Sequence, residues 1–393
     1  MSIFDETLHI ALVIPHLGGG GAERTVLRLA RGLIERGHAV DILIFNSVDT
    51  LADEIPAGAR QFVLDHDQSS FLDRLHLAQH FGFVSLRLLR KQLVRDARAV
   101  AKYINEEEPD CIVPSLPKAK LATMLAPCFT TLPPPPIVPI VHSVMNNRRK
   151  FRKLYSVLLP FADHIISVSN GVADDIAVVC KIPRERITRI YNPVVDTIID
   201  EQAHAAPAHP WLDDGSPVIL AAGRLARVKD FPTLLLAFRK VSRSHRVRLI
   251  ILGEGSWRRR LERMTRKMGL EEIVSFPGWV TNPYAFMSRA SVFVLSSKFE
   301  GLGNVLIEAL ACGCPCISTN CPSGPAEILC DGKVGPLVPV GNASELAAGM
   351  EQLLVSPPSR RILLSRASEF SFDTSVDQYE RILVDLVRER RQS

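Results

Sequence analysis

Short apolar runs alternate with segments of helical periodicity along most of this chain. Residues 8–14 (LHIALVI) predict a buried strand, and Ala22–Arg36 predicts a helix that ends before Gly37. The next strand is predicted at Ala39–Phe45, and this β-α-β order is typical of a parallel sheet with helices on both faces. The pattern continues with predicted strands at Cys111–Val113, Ile137–Val141 and His164–Val168.

A second series of the same kind begins at Val218. Its predicted strands are Val218–Ala222, Arg248–Leu252, Ile273–Phe276, Val292–Leu295 and Pro315–Ser318. Its predicted helices are Phe231–Val241, Trp257–Met268, Tyr284–Arg289 and Asn304–Cys312, and a final helix is predicted at about Ser375–Arg391.

The segment between the two series is rich in Pro, Asp and Gly, which is typical of a linker. We therefore expect an N-terminal domain over 1–203, a linker over 204–217 and a C-terminal domain over 218–374. The helix over 375–393 is expected as a separate element that could pack back on the N-terminal domain. Ligands of open parallel sheets bind beyond the carboxyl ends of the strands, so two facing sheets would share an active-site cleft.

Composition and charge limit the function classes. The chain has 393 residues, 47% apolar and 23% charged, which is ordinary for a globular protein. Its net charge of +5 is too small to indicate nucleic-acid binding. Neither a signal peptide nor a run of membrane-spanning length is apparent, so we expect a cytoplasmic protein.

Eight cysteines are present without a C-x-x-C pair. Cys312, Cys314 and Cys316 alternate along one predicted strand, but the histidine and cysteine spacing of a zinc site is missing. We interpret these three residues as small packing residues with reduced thiols.

Two cations follow the strand Val218–Ala222. Arg224 and Lys229 lie in a loop that leads into the helix at Phe231. Two cations beside a helix N-terminus suit an anion with several oxygens, such as a diphosphate. The alternative is a pair of solvated side chains in a loop.

Two carboxylates follow the strand Val292–Leu295. Glu300 ends a loop in which Gly301 and Gly303 let backbone amides approach a ligand, and Glu308 lies one turn into the next helix. Such a pair could hold the hydroxyls of a ribose and a hexose. The alternative is a capping carboxylate and a surface carboxylate.

Two features of the first domain also lie after predicted strands. The loop Gly18–Gly21 favours close contact with a phosphate, although Glu23 replaces the third glycine of a dinucleotide fingerprint and Asp41 begins its strand instead of ending it. His142 ends a predicted strand, where it could face a cleft or serve only the structure. Asn192 has a similar position in an Asn-Pro turn.

The order of these motifs resembles the retaining glycosyltransferases of family 4, which have the GT-B fold of two facing Rossmann-like domains with parallel sheets. The strings Gly223–Asp230 and Phe299–Leu310 are the most specific parts, and the resemblance runs from about Ile10 to about Gly332. The segment Cys321–Leu329 is similar to a subgroup that often uses UDP-sugars to build surface polysaccharides or lipid-linked oligosaccharides. Asn320 and Ala326 depart from the Asp and Arg of that subgroup.

The resemblance implies a role for each matching residue. Arg224 and Lys229 would bind the diphosphate, Glu308 the ribose and Glu300 the donor sugar. His142 would lie near the transferred sugar. The remaining donor contacts would come from backbone at Gly19, Gly20, Gly21, Val280, Leu302, Gly303, Asn304 and Val305.

The resemblance also implies front-face attack, in which the leaving phosphate acts as base. Arg224 and Lys229 could stabilise the leaving diphosphate without a metal, and the sequence has no D-x-D strand motif to hold one. We therefore expect neither a metal nor another cofactor. The expected partners are a nucleotide-sugar donor and a glycan or polyprenyl-linked acceptor, with no nucleic acid.

Positive charge is concentrated in one part of the first domain. Residues 74–153 hold fourteen Lys/Arg against five Asp/Glu. A predicted helix over 84–104 has apolar residues on one side and cations on the other. This strip is either a solvated face or a contact with anionic lipid on the cytoplasmic face of a membrane. Its members are Arg87, Lys91, Arg95, Arg98 and Lys102.

Two other function classes stay open at this point. One is a sugar-nucleotide epimerase or phosphorylase on a related two-domain scaffold. The other is a sensor that binds a sugar nucleotide without catalysis, although a sensor need not keep every contact to a leaving group.

Overall fold

The computed structural model describes residues 6–45, 51–64, 91–145, 149–206 and 209–392, and for residues 149–151 the backbone alone. The chain divides into two compact units. Unit 1 comprises residues 1–193 together with 372–393, and unit 2 comprises residues 194–371.

Unit 1 contains parallel strands in the Rossmann order. They are His9–Ile14 (β1), Ala39–Ile44 (β2), Arg60–Val63 (β3), Cys111–Pro114 (β4), Ile140–Val141 (β5), Ile165–Ser167 (β6) and Ile187–Arg189 (β7). The order is β3-β2-β1-β4 in one sheet and β5-β6-β7 in a second. Single parallel bridges from Ile112 to Ile137 and from Ser115 to Ile140 join the two sheets.

Among the described residues, the first five helices belong to unit 1. They are Gly21–Glu35 (α1), Lys91–Glu107 (α2), Pro117–Leu125 (α3), Arg149–Leu158 (α4) and Asn170–Cys180 (α5). Helix α1 buries the apolar stripe that contains Val26, Leu29 and Leu33, which is the face that its spacing predicts.

Unit 2 contains a single sheet of parallel strands. They are Val218–Ala222 (β8), Arg248–Leu252 (β9), Val274–Gly278 (β10), Val292–Leu295 (β11), Cys316–Thr319 (β12) and Leu337–Val338 (β13). The order is β10-β9-β8-β11-β12-β13, which is again the Rossmann order.

Helices cover this second sheet. They are Thr197–Ala203 (α6), Phe231–Val241 (α7), Arg258–Lys267 (α8), Tyr284–Met287 (α9), Asn304–Ala311 (α10), Pro325–Ile328 (α11), Ala343–Val355 (α12) and Arg360–Ser368 (α13). Their buried faces and the strands form one core, to which Phe238, Leu249 and Met350 contribute fully buried side chains.

The last helix, Phe372–Gln392 (α14), returns to unit 1 and packs against α1. The approach is close at Gly32, because a Cβ there would lie 2.5 Å from Val376 Cγ2. Buried polar contacts add to the packing. Leu8 N–H donates to His38 Nδ1 at 3.1 Å, so Nε2 carries the proton that faces Glu380 Oε1, also at 3.1 Å.

The division between the units differs from the predicted linker. It falls at Pro193 and Val194, and part of the Pro-rich segment 204–217 packs on unit 2, where His209 Nε2 lies 3.0 Å from Ser275 Oγ. Composition indicated a linker there, but turn-forming residues are equally suited to a loop that lies on its own domain.

Asp41 is the third residue of β2 and is fully buried. It accepts hydrogen bonds from Arg60, at 2.6 and 2.7 Å, and from Tyr103 at 2.5 Å, and His9 Nε2 lies 2.7 Å away. Burial alone would raise the pKa of this carboxyl, but these hydrogen bonds hold it below its usual value. Asp41 thus belongs to a structural network and does not end its strand.

Candidate active site

The two sequence constellations of unit 2 come together at one point of its sheet. Strands β8 and β11 are neighbours, and the strand order reverses between them. Open parallel sheets bind ligands beyond the carboxyl ends of the strands at this reversal. The loop after β8 carries Arg224 and Lys229, and the loop after β11 carries Glu300.

Lys229 and Glu300 form an ion pair. Lys229 Nζ donates to Glu300 Oε1 at 2.6 Å, and the side chains are 18% and 14% exposed. Ser297 Oγ donates to the same oxygen at 2.6 Å. Glu300 Oε2 accepts no hydrogen bond from the described residues, so this oxygen is available to a ligand hydroxyl.

Backbone contacts join the two loops that carry this pair. Ser296 Oγ donates to the Lys229 carbonyl at 2.7 Å, and the Lys298 N–H donates to the Val228 carbonyl at 2.8 Å. Asp230 adopts a left-handed conformation with φ 47° and accepts a hydrogen bond from Thr233 Oγ1 at 2.8 Å. The position of Lys229 is therefore set by both strands.

Arg224 is exposed and makes no hydrogen bond or ion pair with any residue that the structure describes. It leaves β8 on the same loop as Lys229, so one free cation and one paired cation occupy this strand end.

Cys321 is buried, and its burial raises the pKa of the thiol to about 12, with a further contribution from nearby Glu300. The thiol therefore stays neutral beside the charged pair.

The glycine-rich loop before α10 is tightly built. Gly303 has φ 100° and caps the helix, and Ser323 Oγ donates to the Gly301 carbonyl at 2.6 Å. A Cβ at Gly324 would lie 2.0 Å from the Leu302 carbonyl oxygen, so only glycine fits there. These contacts hold the backbone from Gly301 to Gly303 at the strand end.

The other predicted residues of unit 2 also lie at the carboxyl edge of its sheet, but the structure does not place them in contact with the Lys229–Glu300 pair. Glu308 lies in the second turn of α10 and is half-buried. Asn304 and Val305 begin that helix. Val280 is half-buried and follows β10, next to Trp279, which is 50% exposed.

The glycine loop of unit 1 packs on a carboxylate of its own helix. A Cβ at Gly20 would lie 2.3 Å from Glu23 Oε2, and His16 Nδ1 lies 3.6 Å from Glu23 Oε1. Gly19 has φ 83°, so the loop uses the left-handed region. Glu23 therefore shapes the loop, a role that the glycine spacing did not indicate.

His142 follows β5 and is half-buried. Ser115, which follows β4 and is fully buried, lies with its Oγ 2.7 Å from His142 Nε2. The next residue, Leu116, has φ 66°, which is unusual for a bulky side chain and is found most often near functional sites. Asn192 is buried and follows β7.

Two family models match consecutive parts of the chain. A model described as Glycosyltransferase Family 4 matches residues 19–197, and one described as Glycosyl transferases group 1 matches residues 206–370. The chain is a family 4 glycosyltransferase with the GT-B fold. The predicted family and enzyme class are thereby confirmed.

Relatives of this transferase are named for a diphospho-undecaprenol-linked glycan and for lipopolysaccharide. It is 28% identical, over 91% of its length and 93% of the relative, to the Campylobacter jejuni N-acetylgalactosamine-N,N'-diacetylbacillosaminyl-diphospho-undecaprenol 4-alpha-N-acetylgalactosaminyltransferase. It is 25% identical, over 74% and 77% of the two chains, to the lipopolysaccharide 1,6-galactosyltransferase of Salmonella typhimurium.

Solved structures share the fold. A glycosyltransferase from Rickettsia africae is 18% identical with a TM-score of 0.77, and the match covers 97% of this transferase and 99% of that chain. Anabaena HepE, solved in complex with UDP, is 20% identical with a TM-score of 0.75, and the match covers 96% and 100% of the two chains.

The structure adds residues that the motifs did not single out. In unit 2 they are Ser296 and Ser297, which hold the Lys229 backbone and the Glu300 carboxylate. In unit 1 the added residue is Ser115, beside His142. All three serines lie just after a strand, which is the only signal in the sequence that could have indicated them.

Proposed function

We propose that this transferase moves a hexosyl or N-acetylhexosaminyl unit from a UDP-sugar to a lipid-linked or lipopolysaccharide glycan, with retention at the sugar carbon. The observation that carries the donor class is the Lys229–Glu300 pair at the strand reversal, with Arg224 on the same loop. A nucleotide-diphosphate sugar has anionic oxygens for the cations and hydroxyls for the carboxylate. The UDP bound to HepE supports the choice of nucleotide.

The chemistry follows from the charges. Cleavage of the sugar–phosphate bond leaves negative charge on the diphosphate, and cations fixed in advance stabilise that charge in the transition state. Arg224 and Lys229 would do so, while Glu300 Oε2 would accept a hydrogen bond from a sugar hydroxyl. Lys229 is neutralised by Glu300 before a donor binds, so the diphosphate must compete with that carboxylate for Lys229.

The two cations also lead us to propose that transfer needs no divalent metal. Activity should then survive treatment with EDTA. Loss of activity with EDTA and its recovery with manganese would contradict this part of the proposal.

The acceptor is proposed from the relatives. The Campylobacter enzyme is named for a diphospho-undecaprenol acceptor and the Salmonella enzyme for lipopolysaccharide. His142 and the glycine loop Gly19–Gly21 of unit 1 would contact the acceptor or the transferred sugar.

A peripheral membrane contact through α2 is part of the proposal. Lys91 and Lys102 are exposed on this helix, but Arg95 and Arg98 are half-buried. The Arg98 guanidinium lies 5.5 Å from the centre of the Phe129 ring, and Lys102 Nζ lies 4.0 Å from Glu106. Arg87 lies outside the described residues. The strip therefore offers fewer free cations than its sequence suggests.

None of the described helices has the length and apolar character needed to cross a bilayer. A lipid-linked acceptor would then have to be reached from the membrane surface. Charge reversal of Lys91 and Lys102 should weaken sedimentation with anionic vesicles if α2 contributes to that contact.

The decisive experiment is incubation with a panel of nucleotide sugars and a membrane extract, followed by mass spectrometry of the lipid fraction. Transfer adds one sugar mass to an acceptor, and NMR of that product gives its anomeric configuration. An epimerase would instead return a changed nucleotide sugar, a phosphorylase would return a sugar phosphate, and a sensor would bind the donor without turnover. Any of these results, or an inverted product, would contradict the proposal.

A further inference from the structure

Unit 2 has a concentration of positive charge as strong as that of unit 1. Residues 239–268 hold eleven Lys/Arg and only two Asp/Glu, Glu254 and Glu262. Both carboxylates contact Arg258, which also donates to the Phe276 carbonyl at 2.7 Å. The acids of this segment therefore neutralise one arginine, and Arg248 pairs with Asp214. The other nine cations form no ion pair with a residue that the structure describes.

The exposed face of α8 carries most of this charge. Its exposed cations are Arg259, Arg260, Arg263, Arg266 and Lys267. None of them forms an ion pair with a residue that the structure describes. Arg260 lies 4.4 Å from the centre of the Trp257 ring, and Arg263 donates only to the Arg259 carbonyl, at 3.3 Å.

The fold does not account for these arginines. The first turn of α8 contains Arg259 and Arg260 and no acidic residue, although the helix dipole disfavours positive charge at that end. Arg259 and Arg263, spaced four residues apart, also repel each other. The helix is anchored by its opposite face, where Leu261 and Thr265 are buried. The cations of the first turn thus weaken the helix slightly, whereas Arg266 and Lys267 suit the dipole of its last turn. None of the five exposed cations packs the core.

The end of α7 extends the same surface. Helices α7 and α8 are consecutive crossovers in one parallel sheet, so they lie on the same face, and they contact each other. Arg239, Lys240 and Arg243 are exposed at the end of α7, and Arg246 is exposed in the loop that follows. Lys240 donates to Ser344 Oγ at 2.7 Å, and the others have no ion-pair partner among the described residues.

We propose that this basic surface of α7 and α8 binds the anionic face of a lipid bilayer. Its cations are spread along two helices and a loop instead of around a cavity, which suits a broad layer of phosphates better than a single bound anion. Several such cations together hold a protein at an anionic surface, and salt weakens the contact. The choice of a bilayer over another polyanion rests on the lipid-linked acceptor proposed above.

The test is sedimentation of the full chain with vesicles of phosphatidylcholine, alone or mixed with phosphatidylglycerol, at low and physiological salt. Replacement of Arg259, Arg263 and Arg266 by Glu should lower the partition coefficient for the mixed vesicles by at least about 100-fold. Each arginine contributes a factor of about five near an anionic surface, and each glutamate adds repulsion. A matched variant with Lys333, Arg361 and Arg381 replaced by Glu reverses three exposed cations that lie outside both α2 and the basic surface of α7 and α8. It should lose less binding.

UDP binding serves as the folding control, since the α8 variant leaves the proposed donor site intact. If the wild-type protein does not sediment with the mixed vesicles, or if the α8 variant sediments as well as the wild type, the proposal is wrong. Equal loss of sedimentation in both variants would also overturn it, because only total charge would then matter. Binding of the wild type to DNA or heparin, with no binding to vesicles, would assign the surface to another polyanion. Failure of sugar transfer with intact vesicle binding would contradict the proposed function alone.

Discussion

The Lys229–Glu300 pair predicts that replacing Glu300 by Gln has opposite effects on UDP binding and on sugar transfer. In the proposed donor site, UDP carries the diphosphate that would bind Lys229 but lacks the transferred sugar that would contact Glu300. In the wild type, UDP must draw Lys229 Nζ away from a carboxylate oxygen 2.6 Å distant. In the variant, no carboxylate competes for Lys229, so UDP should bind more tightly while transfer should fall.

The distance and burial of the pair set the size of the effect. Two unit charges 2.6 Å apart attract by roughly 6 kcal/mol at an effective dielectric constant of about 20. Desolvation of both groups and the ordering of the side chains offset most of this attraction, which leaves about 1–2 kcal/mol. The affinity for UDP should therefore rise by about 5- to 30-fold.

Isothermal titration calorimetry with UDP measures this change, and Lys229→Met tests its origin. In the Lys229→Met background, Glu300→Gln should no longer tighten UDP binding, because the competing pair is already absent. Glu254→Gln is the matched control, since it removes a negative charge after β9 on the same sheet and leaves Lys229 alone. Unchanged or weaker UDP binding by Glu300→Gln, or equal tightening by Glu254→Gln, would refute the reasoning.

Three further predictions concern transfer and stability. Arg224→Ala and Lys229→Ala should each lower turnover by roughly 30- to 1000-fold, because each removes a contact worth ~2–4 kcal/mol to the charge that develops on the leaving diphosphate. Near-normal turnover of both variants in steady-state assays would show that neither cation contacts the leaving group. Gly32→Ala should lower the free energy of unfolding by about 1–2 kcal/mol in denaturant titrations, since the new methyl overlaps Val376 at 2.5 Å and the gain in helix propensity offsets only part of the cost. The pKa of Asp41 is lower in the folded protein than in the unfolded chain, so its ionised form stabilises the fold. This stabilisation is complete above the unfolded pKa of about 4 and is lost as the pH falls through the folded pKa. Asp41→Asn should therefore make the free energy of unfolding depend less on pH in the acid range.

The sequence was sufficient to predict most of the strands and seven of the fourteen described helices. Helices α3–α6 and α11–α13 were not predicted. Strands β8, β9 and β11 and helix α7 have the predicted bounds, because each is a compact run with one clear period and a clear boundary. Strands β3 and β13 were not predicted. They lie at sheet edges and are half-exposed or only two residues long, so their apolar pattern is weak.

Within the proposed site, Arg224, Lys229, Glu300 and Glu308 could be selected because they follow strands or begin helices. Their mutual contacts could not be predicted, since a pairing between Lys229 and Glu300 depends on β8 and β11 being neighbours. The supporting hydroxyls were missed for the same reason. A serine at a strand end has no pattern of its own, and only the structure shows that Ser297 donates to Glu300.

The same distinction explains where charge was misjudged. A helical wheel placed five cations of the predicted helix over 84–104 on one face. Tertiary contacts bury Arg95 and Arg98 in part, and Lys102 lies 4.0 Å from Glu106, one turn along the same helix. On α8 the wheel would have found the arginines, yet only the structure shows that Glu254 and Glu262 are both taken by Arg258. Whether a basic segment can bind a partner depends on the counter-charges around each cation, both from its own helix and from other parts of the chain. For this transferase, the test on α8 therefore separates a surface selected for binding from one that is merely solvated.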